Sequence, residues 1–365
     1  MNERVVVFNN MITPYTNRLY NALVDGGLDL AVLSCTDQEP DRSWAGTFDI
    51  RYPHRTIPGL TFPLSRSRHT HVNFGISHAL NEMKPEVLLV NGFYPSMLLA
   101  GRWARANDVK LALTIDGWRD TMPDTIYHRF ARPWLLRRCR AVICCSEKGS
   151  AYFRNTGIDD QSLFVVPLVP AWGSPSTIVN FQARIFDILW CARINDDAKN
   201  AIFFEQIVIA LHGRIPGLRV RVVGSGVAER RMLGRFAAAG IDVKHDQHVP
   251  WQKISEVYQQ CRLLLLPSVV EPWGLVCNEA MQCGVPCIVS PHVGAAGELV
   301  RNAENGYVCD LSVDTWVKAA RMLLENPDRW AMMSSRSRLL ATENTIGNSA
   351  ERFVAAIGAI RSASA

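Results

Sequence analysis

The chain has 365 residues, long for one hydrophobic core and comfortable for two domains. Its 48% hydrophobic and 20% charged content suit a globular enzyme, and a formal charge of +5 without a basic tail gives no case for nucleic-acid binding. The apolar run 263–266 is far below the ~20 residues a bilayer crossing needs, and residues 1–8 lack the basic-then-apolar order of a signal peptide, so a cytoplasmic location is expected.

In chain order, short apolar runs alternate with helical patterns. Strands are predicted at 5–8, 28–34, 87–90, 111–115, 141–145 and 163–166. Helices are predicted at 15–24, 72–83, 96–107 and 127–138. A Pro-, Gly- and Ser-rich stretch at 167–176 then reads as a linker. Beyond it, strands are predicted at 187–191, 219–223, 241–244, 263–266 and 287–289, with helices at 200–212, 228–239, 251–259 and 275–282. A last helix, 346–360, places Ile346, Ala350, Phe353, Val354 and Ile357 on one face. Such alternation argues for an α/β fold with parallel, doubly wound sheets and right-handed crossovers. The expected domains are 1–172 and 173–345, with 346–365 returning to the first. Ligands of such sheets bind beyond the C-terminal strand ends, so the chemistry is expected in those loops, facing a cleft.

The ten cysteines mostly sit in apolar strand-like or helix-like stretches. Cys283 and Cys287 lack a second pair at zinc-finger spacing, so buried thiols are expected rather than disulfides or a metal site. The histidines show no HExxH-like spacing.

The segment from Leu264 to Gly306 carries the most chemistry. A strand runs into Pro267-Ser268, Glu271 follows in the loop, and Trp273-Gly274 turns the chain into a helix. The unpaired N–H groups and positive end of that helix suit a phosphate, and Gly274 lets the backbone come close to it. Glu279 lies about five residues into the helix, roughly 7 Å along its axis. The two carboxylates therefore flank a phosphate point, matching a sugar–diphosphate–ribose layout.

Pro267-Ser268, Glu271-Pro-Trp-Gly274, Asn278-Glu279-Ala280-Met281, Gly284-Val-Pro286, Gly294, Glu298-Leu-Val300 and Asn305-Gly306 resemble the C-terminal signature of family 4 glycosyltransferases. That resemblance implies the GT-B fold, two Rossmann-like domains facing across a cleft, with donor bound in the second. It implies a retaining transfer of a hexose-type sugar from a UDP or GDP sugar to a hydroxyl of a glycan, glycolipid or lipid-linked acceptor, in polysaccharide or glycoconjugate synthesis. It implies that Glu271 contacts the donor sugar and Glu279 the ribose, that amides near Gly274, Leu275 and Val276 hold phosphate or sugar, with Trp273 and Ser268 beside them, and that no metal or other cofactor is obligatory.

Arg193 and Lys199 end the strand 187–191, where two cations can neutralise a diphosphate leaving group. Similar family members carry glycine where this chain has Ala192 and Asn200. Gly224-Ser-Gly226 resembles the family's glycine turn near the nucleotide but is common in α/β proteins. Thr13, Pro14 and Tyr15 follow the first strand in a glycine-free loop. They read either as a phosphate or acceptor loop, as at the start of several similar enzymes with polysaccharide roles, or as a plain helix start. Asp116 ends the strand 111–115, where many similar enzymes carry a histidine, and reads either as a catalytic group or as a turn cap.

Residues 50–81 and 126–140 contain no Asp or Glu and mix cations with aromatics. They read as solvated surface or as a face toward an anionic membrane or lipid-linked acceptor. Pro133 is expected to interrupt any long membrane-lying helix there. The rival functions are a nucleotide-sugar epimerase on the same fold and a non-catalytic sugar-nucleotide-binding partner of a glycan assembly complex.

Overall fold

The computed structural model describes residues 4–39, 49–65 and 68–363. The first three residues of the N-terminal run, and Arg66 of the acid-free stretch, lie outside the described residues. The chain forms two compact units, one of Met1–Ala171 with Ile346–Ala365 and one of Trp172–Thr345.

The first unit runs β1 (Val5–Asn9), α1 (Pro14–Asp25), β2 (Leu30–Ser34), β3 (His54–Thr56), β4 (Gly59–Ser65), β5 (Arg68–Asn73), α2 (Ile76–Met83), β6 (Val87–Asn91), α3 (Pro95–Ala106), β7 (Lys110–Ile115), α4 (Ile126–Leu136), β8 (Ala141–Cys144), α5 (Glu147–Asn155) and β9 (Leu163–Val165). Its main sheet has the order β3-β2-β1-β6-β7-β8-β9, with every pair parallel. The inner strands are continuous apolar runs because helices cover both faces of such a sheet. β4 and β5 form a separate antiparallel hairpin.

The second unit runs β10 (Phe186–Cys191), α6 (Ala201–His212), β11 (Arg219–Val223), α7 (Glu229–Ala238), β12 (Asp242–Asp246), α8 (Ile254–Gln259), β13 (Cys261–Leu266), α9 (Leu275–Gln282), β14 (Cys287–Val289), β15 (Gly306–Val308), α10 (Val313–Leu324) and α11 (Pro327–Ala341). Its sheet order is β12-β11-β10-β13-β14-β15, also wholly parallel. The order reverses direction at β10 and β13, the switch point where a doubly wound sheet opens a ligand crevice. Ile188, Trp190, Phe204, Val220, Leu263 and Trp316 centre its core. Arg184, 1% exposed, crosses the base of this unit and donates to the carbonyls of Val179, Tyr258, Cys261 and Cys283 at 2.7–3.2 Å.

The last helix, α12 (Ile346–Ser362), packs Phe353, Ala356, Ile357 and Ile360 into the core of the first unit beside Val5, Val7, Leu30 and Val32. Val354, expected on that buried face, is 48% exposed, because the true stripe is displaced toward Ala356 and Ile360. The expected helix at 72–83 starts only at Ile76. Asn73 instead completes the hairpin, donating to the carbonyls of Cys35 and Ile57, and Gly75 turns the chain with φ +76°. Pro133 lies inside α4, which runs for 11 residues from Ile126 to Leu136, within the helix expected at 127–138 but for its ends. None of the ten cysteines, all among the described residues, is disulfide-bonded; Cys139 and Cys191 are half-buried and the others buried.

Candidate donor site on the second unit

The loops after β10 and β13 are stitched together. The N–H groups of Val269 and Val270 donate to the Ala198 carbonyl at 2.8 and 3.1 Å. Within the β10 loop the buried Asn195 side chain accepts from the Lys199 N–H at 2.9 Å. Asn200 then takes a left-handed backbone, φ +58° and ψ +51°. Asparagine tolerates that conformation better than other non-glycine residues, which accounts for its standing where similar chains have glycine. The result places the Lys199 ammonium against Glu271 Oε2. Their side chains are 20% and 12% exposed, so the pair is mostly desolvated yet open at one side.

Glu271 is itself held from behind: its carbonyl accepts from the Gly294 N–H at 3.0 Å, and Ala295 N–H donates to the Trp273 carbonyl at 2.8 Å. Gly274 starts α9 with φ +98°, and a Cβ there would lie 2.9 Å from Val293. Glycine is therefore required at this turn. The first amides of α9, including those of the half-buried Leu275 and Val276, follow directly after Glu271 and leave the helix without intrahelical acceptors. Trp273 is 2% exposed and its indole N–H donates to Asn278 at 2.8 Å, while Ser268 is fully buried and its carbonyl accepts from the Ser290 hydroxyl. The Trp273 side chain and the Ser268 backbone carbonyl thus support the loop from beneath.

Glu279 is half-buried on α9, beside Cys191 at the end of β10. The hydroxyl of the fully buried Tyr258 donates to Glu279 Oε2 at 2.6 Å. Burial pushes the Glu279 carboxyl up to about 7, and the Tyr258 hydrogen bond offsets part of that rise. Neither Tyr258 nor Asn195 was legible as a site residue, because each lies outside the signature; Tyr258 reaches Glu279 from another helix.

Arg193 follows Ala192 in the β10 loop, which lies flat on the Gly224-Ser-Gly226 turn. A Cβ at Gly224 would meet the Ala192 carbonyl oxygen at 2.1 Å, and one at Gly226 the Ile194 oxygen at 2.3 Å. Ile194 N–H donates to Ser225 O at 2.9 Å. The two glycines thus serve the seating of the loop that carries Arg193. A surface cavity of about 420 Å³ lies elsewhere on this unit, lined by Arg214, Asp314, Lys318, Arg321, Glu325 and Arg329.

On the first unit, Asp116 follows β7 and its carbonyl accepts from the Cys145 thiol at 3.2 Å. Thr13 is 3% exposed and caps α1: its hydroxyl accepts from Thr16 N–H, Thr16 Oγ1 accepts from Thr13 N–H at 2.9 Å, and Pro14 opens the helix. Tyr15, the next residue of α1, is half-buried. Thr13 and Pro14 are therefore engaged in starting the helix. In the acid-free stretches Arg51 pairs with Asp25, Arg55 with Glu82 and Arg129 with Asp124, so these three cations are locally neutralised. His71 and Glu39 are buried together, with Asn10 donating to the same Glu39 oxygen at 2.8 Å. Among the described residues no group of three or more His, Cys, Asp or Glu side chains is placed to hold a metal ion. No helix of the described residues is long and apolar enough to cross a membrane.

The architecture is shared with solved glycosyltransferase structures. HepE of Anabaena, solved in complex with UDP and glucose, superposes with a TM-score of 0.75 at 14% identity, covering 97% of this chain and 99% of that one. The lipopolysaccharide outer core galactosyltransferase WaaB gives a TM-score of 0.71 at 14% identity over the same shares. The fold is the two-domain GT-B fold. Residues 12–168 match the model of the glycosyl transferase 4-like domain and residues 196–339 that of the glycosyl transferases group 1, together most of the chain. The chain belongs to this family 4-type, group 1 glycosyltransferase family. A D-inositol 3-phosphate glycosyltransferase of Rhodococcus jostii is 33% identical over 128 residues, 33% of this chain and 28% of the relative. An uncharacterized glycosyltransferase of Haemophilus influenzae is 28% identical over 131 residues, 36% of this chain and 37% of the relative. The matched part thus spans little more than a third of these relatives at most.

Proposed function

We propose that this protein transfers a hexose-type sugar from a nucleoside-diphosphate sugar, UDP- or GDP-linked, to an acceptor hydroxyl with retention at the anomeric carbon. The observation that carries this reading is the Lys199–Glu271 pair held at the start of α9. In this reading Glu271 binds the donor sugar, the amides of Leu275 and Val276 bind a phosphate, and Glu279 accepts hydrogen bonds from the ribose diol. Arg193 and Lys199 offset the charge that develops on the departing diphosphate, the main electrostatic demand of the reaction. No metal is required in this scheme. The retained configuration accords with a departing phosphate oxygen taking the acceptor proton on the same face. Asp116 and Tyr15 are proposed for the acceptor side, since both follow C-terminal strand ends of the first unit.

The acceptor is proposed to be a glycan, glycolipid or lipid-linked hydroxyl, met at the inner face of a cytoplasmic membrane. Support comes from Ile126 and Phe130, 76% and 75% exposed one turn apart on α4. Such a pair can enter a membrane interface while nearby cations meet head groups.

A thermal-shift screen of nucleoside diphosphates and sugar nucleotides tests the donor site. A ligand at 100 times its Kd adds about 2.7 kcal/mol of stability. A rise with one nucleotide series is expected; no rise with any would remove the donor reading. Formation of an epimer from donor alone, without acceptor, would favour the epimerase instead.

A further inference from the structure

We propose that Tyr258 is a positioning residue of the nucleotide subsite: its hydroxyl holds one oxygen of Glu279, leaves the other for the ribose diol, and favours the ionised carboxylate on which sugar-nucleotide binding depends. This rests on the reading of Glu279 as the ribose ligand. The geometry that carries it is local and specific. Tyr258 stands near the end of α8, is fully buried, and donates to Glu279 Oε2 at 2.6 Å. A half-buried carboxylate on a helix has several rotamers, and this bond selects one. With Oε2 occupied, Oε1 is the oxygen left to accept from a diol.

The other titratable groups facing Glu279 are the Cys191 thiol from β10 and the Cys283 thiol after α9. Burial pushes both up to about 12, so both stay neutral through the working range. Arg221 acts on the Cys191 thiol and Arg184 on the Cys283 thiol, each opposing that rise. Proton uptake near neutrality therefore falls on Glu279, whose carboxyl sits at about 7. A diol donates two hydrogen bonds best to an ionised carboxylate, so bound ligand favours the deprotonated form. Affinity is therefore full above the Glu279 value of the empty protein and falls as pH drops through it, about tenfold per pH unit. Tyr258 stabilises the ionised form, so removing its hydroxyl moves that midpoint upward.

The test is calorimetric titration of the full chain with UDP-glucose and GDP-mannose between pH 5.5 and 9. Neither sugar nucleotide carries a diphosphate group that titrates near neutrality. For the native protein the affinity midpoint is expected near pH 7. Tyr258→Phe, which keeps the ring and its packing, should shift it up by about one pH unit. Glu279→Gln should bind weakly with a flat profile. A Tyr258→Phe midpoint unchanged from the native one, or a uniform loss of affinity at every pH, overturns the proposal while leaving the donor site standing. Failure of both probes to bind the native protein at any pH removes the donor-site reading and this inference with it.

Discussion

Gly294→Ala isolates the contact that places Glu271. A Cβ at Gly294 would stand 2.0 Å from the Pro272 oxygen, 2.8 Å from its carbonyl carbon and 2.9 Å from Trp273 Cα. All three are backbone atoms, so no side chain can swing aside. Ordinary contact begins at 3.4 Å, so the loop must retreat by about 1.4 Å. That movement breaks Gly294 N–H to Glu271 O and Ala295 N–H to Trp273 O, at 3.0 and 2.8 Å. Two buried hydrogen bonds at about 1 kcal/mol each, with about 1–3 kcal/mol of overpacking, give a loss of about 3–5 kcal/mol. Activity should fall further, since a displacement of about 1 Å at a reacting group can cost about 100-fold. Urea unfolding reads the stability, with Gly217→Ala as control. That glycine has φ +71° but nothing within 4 Å, so it should lose only about 1–2 kcal/mol from left-handed strain. If Gly294→Ala matched Gly217→Ala in stability and bound sugar nucleotide normally, the supporting role of this contact would be refuted.

Lys199→Met should lower turnover by about 10²–10³-fold, read in a donor-consumption assay, because it removes the cation proposed to face the leaving group and takes from the mostly buried Glu271 its ion-pair partner. Arg184→Ala should destabilise the chain by about 3–5 kcal/mol in chemical denaturation, since it strands buried carbonyls of Tyr258, Cys261 and Cys283. Glu279→Gln should stabilise the empty protein by about 2 kcal/mol at pH 8. The Glu279 carboxyl is raised to about 7, so the native fold holds that proton more tightly than the unfolded chain does, and stability is lost as pH rises toward 7. The gain of the variant should vanish by about pH 4; melting curves across that range check it.

The alternation of apolar runs made both parallel sheets legible, because strands buried on two faces leave continuous signals such as those of β1, β6 and β13. β4 and β5 carried no such signal: they pair with each other, and their sequence is broken by Pro63 and rich in histidine. β15, three residues long, was hidden among turn residues. The signature around Glu271 is contiguous and therefore readable. Its supports come from distant positions that only the fold brings close. Tyr258 reaches Glu279 from α8, and the Gly224-Ser-Gly226 turn serves the Arg193 loop by close backbone approach. The left-handed Asn200 shows the opposite case, a departure in sequence that keeps the local geometry. Thr13 was open to two readings, and the capping hydrogen bonds with Thr16 show the hydroxyl engaged in the helix start.

Glu271 and Glu279 are proposed to divide a sugar nucleotide between them. Saturation-transfer NMR with UDP-glucose and GDP-mannose on the full chain measures this proton by proton. Strong transfer to both hexose and ribose protons is expected in the native protein, with selective loss at the hexose in Glu271→Gln and selective loss at the ribose in Glu279→Gln. Equal loss along the whole ligand in both variants, or no transfer to either ligand in the native protein, would contradict it.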